Sequence, residues 1–166
     1  MTGVQTCALP ICIVIPGGES TTISYLLSTS GLREPLGERL RSGLPALGTC
    51  AGLIMLSTHI ESGRDDQWSY SALDVTVRRN GYGRQIASFE ADLRGPNTTS
   101  IPGVFIRAPR IVAMGDSVEP IIFYDHGDGE HPVLVRQDSV WGCSFHPELT
   151  DDLSIHRLFV ESIPVD

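Results

Sequence analysis

The chain has 166 residues, 41% of them hydrophobic, and a formal net charge of −8, enough for one domain with a real core. Its acids are scattered and no basic stripe alternates with aromatics, which argues against a nucleic-acid partner. No apolar stretch approaches the roughly 20 residues that cross a bilayer, and the N-terminus lacks the basic start of a secretory signal, so no membrane association and a cytoplasmic location are expected.

Cys12-Ile13-Val14-Ile15 is a short β-branched run stopped by Pro16-Gly17-Gly18, which predicts a strand buried on both faces and ending in a tight turn. Ser20 or Thr21 is placed to cap a helix through about Ser28, with Gly31 as its stop. A second helix is predicted from about Glu34 to Arg41, ending at Gly43 and feeding a strand that leads to Cys50. Strand, helix, strand, helix in this order implies parallel pairing with a crossover, the α/β pattern. After a helix beginning near Ala51, short strands are predicted at Leu73–Val77, Ser88–Leu93, Gly103–Ile106, Ile121–Tyr124, Pro132–Arg136 and Val140–Phe145. Their spacing suggests hairpins or a mixed extension of the sheet. A last amphipathic helix, about Asp151 to Glu161, is expected to bring Leu153, His156, Leu158, Phe159 and Ile163 near one face.

Gly48-Thr49-Cys50-Ala51-Gly52 is a G-x-C-x-G at a strand-to-helix junction, the thiol form of a nucleophile elbow. The free N–H groups of the following helix start favour thiolate, the attacking species. Far downstream, His146-Pro147-Glu148 puts a base and an acid two residues apart, so an extended backbone would point both to one side. His146 would then exchange a proton with Cys50 while Glu148 orients the imidazole. Alone, His146 reads better as a strand-end histidine satisfied by backbone, and Cys50 at least as well as a small residue packed at a turn. Their order and pairing carry the catalytic reading. Of the other cysteines, Cys7, Cys12 and Cys143, none has metal-ligand spacing, and no metal site or disulfide framework is expected. Cys143 reads as a buried small hydrophobe. His59, His126, His131 and His156 read as surface or packing residues. Pro16–Thr21 lacks the G-K-[ST] ending of a phosphate loop, and the glycine-rich loop Arg78–Gln85 is open to a plain hairpin reading.

Six ordered stretches, PGGEST at Pro16–Thr21, GTCAGLI at Gly48–Ile54, RNGYGRQ at Arg79–Gln85, SFEADL at Ser88–Leu93, GVFIRAP at Gly103–Pro109 and GCSFHPELT at Gly142–Thr150, resemble the glutaminase subunit of pyridoxal 5′-phosphate synthase, within the class I, triad-type glutamine amidotransferases. The resemblance implies a flavodoxin-like α/β fold, a three-layer sandwich around a mostly parallel central sheet. It implies that Cys50 attacks the side-chain amide of L-glutamine, giving a glutamyl thioester and ammonia, and that water then releases glutamate. His146 would protonate the ammonia and activate the water, with Glu148 orienting it; no cofactor is implied. Gly18, Glu19 and Ser20 would hold the glutamine, Arg79, Ile106 and Arg107 would complete the pocket, and the Ala51 N–H would face the oxyanion. The implied partner is a (β/α)8-barrel synthase subunit, in a large hetero-oligomer, that receives the ammonia.

The N-terminus departs from this pattern. Family members carry a strand, a tight turn and a helix ahead of the PGGEST stretch, whereas only residues 1–15 precede it here. Residues 1–11 are therefore expected to be non-native or atypical, and 12–166 an incomplete amidotransferase domain lacking its first strand and helix. The absent turn would also supply one oxyanion donor, a loss worth about 10² to 10³ in rate. A glutaminase serving another biosynthetic synthase, or a docking subunit impaired in turnover, stays open on the sequence. A DJ-1-like thiol hydrolase is disfavoured by the His-x-Glu after a C-terminal strand.

Overall fold

The computed structural model describes residues 10–64, 66–82, 88–95 and 100–164. Cys7 and the Gly83-Arg84-Gln85 end of the glycine-rich loop lie outside them, as do residues 1–9.

The chain runs β1 (Ile13–Ile15), α1 (Ser20–Thr29), α2 (Arg33–Arg41), β2 (Ala46–Thr49) and α3 (Ala51–Leu56), then β3 (Ser57–Glu61) and β4 (Leu73–Arg78). It continues through β5 (Ser88–Leu93), β6 (Ile101–Ile106), β7 (Arg110–Met114), β8 (Glu119–Asp125), β9 (Glu130–Gln137), β10 (Val140–Cys143) and α4 (Ser154–Glu161). The central sheet has the order β1-β2-β10-β9-β8. It is parallel across β1, β2 and β10 and antiparallel where β9 and β8 extend it, the mixed extension expected from the strand spacing. Among the described residues, a second sheet, β3-β4-β7, and an antiparallel pair, β5-β6, account for the other strands.

Alternation along the central strands divides the interior into two cores. Ala46 and Val140 face one core, shared with Leu40 of α2, Leu53 and Met55 of α3, and Val75 of β4. Leu47, Trp141 and Cys143 face the other, shared with Phe105 of β6 and with Ile155 and Phe159 of α4. Period-2 side-chain alternation on a sheet covered on both faces requires this split, and it yields the three-layer sandwich.

Several local expectations need correction. Neither Ser20 nor Thr21 caps α1: the cap is Glu19, whose carboxylate accepts from the N–H groups of Thr21 and Thr22 and from both threonine hydroxyls. The elbow helix lasts six residues before the chain turns into β3, a strand that the polar Ser57-Thr58-His59 start concealed. β7 was hidden likewise by its proximity to the Ala108-Pro109 break. β10 ends at Cys143 rather than Phe145. In α4 the buried residues are Ile155 and Phe159, while Leu153 is 54% exposed, because the helix begins at Ser154 rather than Asp151.

Candidate active site

Cys50 and His146 meet because β2 and β10 are parallel neighbours: Thr49 is registered with Cys143, so both chains leave the sheet at the same edge. One further ladder bond, Cys50 N–H to the Cys143 carbonyl at 2.9 Å, fixes the elbow to β10. β1 ends at this edge too, delivering Gly17 to Ser20. Carboxyl ends of adjacent parallel strands are where open α/β sheets place their ligand crevices.

The elbow itself is strained. Cys50 sits at φ 49°, ψ −102°, a left-handed conformation that costs an ordinary residue energy and clusters at functional sites. Gly52 lets the turn close: a Cβ there would lie 1.8 Å from the Ile15 carbonyl oxygen, so only glycine lets α3 pack against the end of β1. Cys50 is buried, and its thiol donates to the Ile106 carbonyl across 3.8 Å.

His146 does not lie on an extended segment with Glu148. Pro147–Leu149 forms a single 3-10 turn with proline at its start, where the missing N–H costs nothing. The turn still joins the two side chains, with His146 Nδ1 2.8 Å from Glu148 Oε1. The Thr49 hydroxyl donates to the same oxygen at 3.3 Å, and the His146 backbone N–H donates to the Val104 carbonyl at 2.8 Å. Nδ1 is thus engaged, while Nε2 is buried with no hydrogen-bond partner among the described residues. The Cys50 sulfur facing the ring, then the Glu148 carboxylate at Nδ1, favour the imidazolium and hold the His146 pKa up at about 9 against the opposing effect of burial. Burial pushes the Glu148 carboxyl up, but hydrogen bonds from His146, its own backbone and Thr49 bring it below its ordinary value. Burial pushes the Cys143 thiol well up, as expected of a packing residue with no reactive role.

A cavity of about 420 Å³ opens at Cys50 and His146. Gly18, Glu19, Ser20, Ala51, Arg79, Ile106 and Arg107 all line it, joined by Asn80 and Ile54. Every residue proposed from sequence for this site therefore borders one space, apart from Glu148, which stands behind the histidine. Asn80 and Arg107 share with Cys50 a positive φ, at 50° and 44°. Arg79 donates to Glu19 Oε1 at 3.3 Å and to Gln67 Oε1 at 3.0 Å, so a cation and a carboxylate stand together on one wall. Sequence reasoning missed Thr49 and Gln67; Thr49 was within the elbow motif, whereas nothing around Gln67 marked it. Among the described residues no cluster of three or more His, Cys, Asp or Glu side chains is arranged to hold a metal ion.

The chain is similar to pyridoxal 5′-phosphate synthase subunit PdxT of Nocardioides sp., with 46% identity over 159 residues that cover 93% of this chain and 79% of the relative. It is 49% identical to the subunit of the same name from Mycobacteroides abscessus over 155 residues, 91% of this chain and 77% of the relative. Among solved structures, a crystal structure of a glutamine amidotransferase superposes with a TM-score of 0.82 at 44% identity, covering 92% of this chain and 78% of that one. A glutamine amidotransferase of Thermotoga maritima, at 14% identity and a TM-score of 0.51, shares the fold alone. The elbow cysteine, the paired histidine and glutamate and the cavity they face agree with a family match over residues 7–165: the chain belongs to the SNO glutamine amidotransferase family.

Proposed function

We propose that the protein hydrolyses the side-chain amide of L-glutamine to L-glutamate and ammonia, as the glutaminase subunit of a pyridoxal 5′-phosphate synthase. The observation that carries this reading is the convergence of Cys50, His146 and the wall formed by Gly18, Glu19, Ser20, Arg79, Ile106 and Arg107 on one cavity. Cys50 attacks the amide carbon as thiolate, and the charge that develops on the amide oxygen is met by the N–H of Ala51, the first residue of α3. His146, charged at neutral pH with its pKa near 9, gives its Nε2 proton to the departing nitrogen, and the C–N bond breaks to leave the glutamyl thioester and ammonia. The neutral imidazole then takes a proton from water, which attacks the thioester, breaks the C–S bond and releases glutamate. Glu148 keeps Nδ1 engaged so that Nε2 is the nitrogen in play.

The cation of Arg79 and the carboxylate of Glu19 on one wall suit the α-carboxylate and α-ammonium of a free amino acid. Residues 12–166 constitute the amidotransferase domain in this reading. Ammonia is mostly protonated in neutral water, so the acceptor is a docked (β/α)8 synthase subunit, in a hetero-oligomer, rather than bulk solvent. No helix among the described residues is long and apolar enough to cross a membrane, and we place the protein in the cytoplasm. The test is glutamate release by the purified chain mixed with its synthase subunit, alongside Cys50→Ala. Release that depends on Cys50 is expected; a folded chain whose Cys50 no glutamine analogue labels, with no release in the mixture, would sink the proposal.

A further inference from the structure

We infer that Gln67 is a positioning residue of the amino-acid site: its side-chain amide ties the Ser20 hydroxyl to the Arg79 guanidinium and holds both against the cavity. This rests on the glutamine reading above. Gln67 belongs to the connection between β3 and β4, outside every motif that marked the site. It borders not the cavity at Cys50 but a neighbouring groove of about 280 Å³, so it acts through the two residues it grips.

The direction of each bond follows from what the groups can do. A guanidinium only donates, so the oxygen of the Gln67 amide must face Arg79, where Nη1 donates to it at 3.0 Å. The amide nitrogen then faces Ser20 and donates to its Oγ at 2.8 Å. Ser20, only 2% exposed, accepts in this bond and keeps its own proton for a ligand in the cavity. The second Arg79 nitrogen donates to Glu19 at 3.3 Å. Glu19, Arg79, Gln67 and Ser20 thus close a ring in which the guanidinium meets one carboxylate and one neutral amide. The neutral amide leaves the guanidinium more attraction for a substrate carboxylate than a second acid in its place would allow. The loop that presents Gln67 is pinned by the Tyr70 and Ala72 N–H groups, which donate to the Met55 and Leu56 carbonyls at 2.8 and 2.9 Å, and by Arg33 lying 4.3 Å over the Trp68 ring.

The test compares Gln67→Leu and Gln67→Glu with the unaltered chain, in the presence of the synthase subunit. Three quantities are read: KM for glutamine, kcat, and the glutamine concentration that halves alkylation of Cys50 by iodoacetamide. We expect KM and the protecting concentration to rise about tenfold in Q67L, the effect of loosening a charged hydrogen-bonding partner, with kcat within about threefold. In Q67E both should rise further, because the added carboxylate competes for Arg79. A role limited to holding the fold ranks the two the other way, since glutamate nearly matches glutamine in volume; that ranking, or an unchanged KM in both, overturns the inference alone. Alkylation without glutamine should stay at the unaltered rate, and where Q67L does not fold, Q67E carries the measurement. Glutamine that neither protects Cys50 of the unaltered chain nor is hydrolysed by it overturns the glutamine reading and this inference together.

Discussion

His146 keeps its proton to a higher pH than a free imidazole because the Cys50 sulfur and the Glu148 carboxylate both face it. The imidazolium is the form that hands a proton to departing ammonia, so kcat/KM should fall as pH rises through about 9. The stabilisation from this pairing has the same sign: it is fully present below the unfolded histidine pKa of about 6.5 and is lost as pH passes the folded value. Glu148→Gln retains a side chain of the same size but removes the charge, and is expected to move the alkaline limb of the pH–rate profile down. A limb that stays in place would assign the elevation to Cys50 alone. Gly17 is the second check at this scale. A Cβ on it would stand 2.2 Å from His146 Cε1 and 2.6 Å from Nδ1, so Gly17→Ala must push the imidazole off its line to Cys50. Displacements of this kind cost about 10²-fold in rate. The expected result is that loss in kcat with a melting temperature close to the parent's, because the clash falls on one ring at a cavity edge and not on either core.

At the level of elements, α1 shows how one residue serves both structure and site. Its first-turn N–H groups are satisfied by Glu19, and the hydroxyl bonds from Thr21 and then Thr22 draw the Glu19 pKa down to about 2. A depressed carboxylate stabilises above its unfolded value and loses that contribution as pH falls through its folded one. Glu19→Ala should therefore cost about 1 kcal/mol at neutral pH, the value of a helix cap, and about 2–4 °C in Tm for a chain of this size. The difference from the parent should vanish near pH 2, as thermal melts at the two pH values would show; because Glu19 also grips Arg79, KM for glutamine should rise in the same variant. This double duty was not legible in the sequence. Ser20 and Thr21 are the better intrinsic caps, and the order of preference was overruled by a carboxylate long enough to reach two amides and two hydroxyls. What was legible were elements announced by period and by breakers: β1 from its β-branched run before Pro16-Gly17-Gly18, though as an edge strand with Val14 45% exposed it is not buried on both faces as expected, β2 and the elbow from glycine-flanked Cys50, α2 from its run Glu34–Arg41 before Gly43. β3 escaped because its mostly polar residues lie at a sheet edge, where burial of one face leaves a weak signal, and β7 because its short apolar run directly follows the Ala108-Pro109 break. The meeting of His146 with Cys50 was readable as chemistry, but the parallel β2–β10 pairing that produces it was not. Gln67 lay beyond reach altogether, since a lone glutamine in a loop acquires meaning only from the partners that folding brings to it.

Across the whole molecule, the central sheet keeps the two cores apart while its carboxyl edge carries the site, so core residues differ in how directly they bear on chemistry. Phe145 and Phe159 are both fully buried in the same core. Phe159 comes from α4 and meets Trp141 edge-on at 6.5 Å, and neither residue lines the cavity at Cys50. Phe145 directly precedes His146 and packs 5.7 Å from Phe105, the neighbour of Ile106, whose carbonyl receives the Cys50 thiol. Truncating either to alanine removes a comparable volume and should cost about 3–5 kcal/mol, lowering Tm by a similar amount. Their kinetic consequences should separate. At a temperature where both variants remain folded, Phe159→Ala is expected to keep kcat within about twofold of the parent, since the void it leaves relaxes within α4 and β10. Phe145→Ala should lose at least about tenfold, because the same relaxation moves the backbone that holds both His146 and the Ile106 carbonyl. Equal losses of kcat in the two folded variants would mean that the core responds as one unit, and that the carboxyl edge of the sheet is not held independently of the packing beneath it.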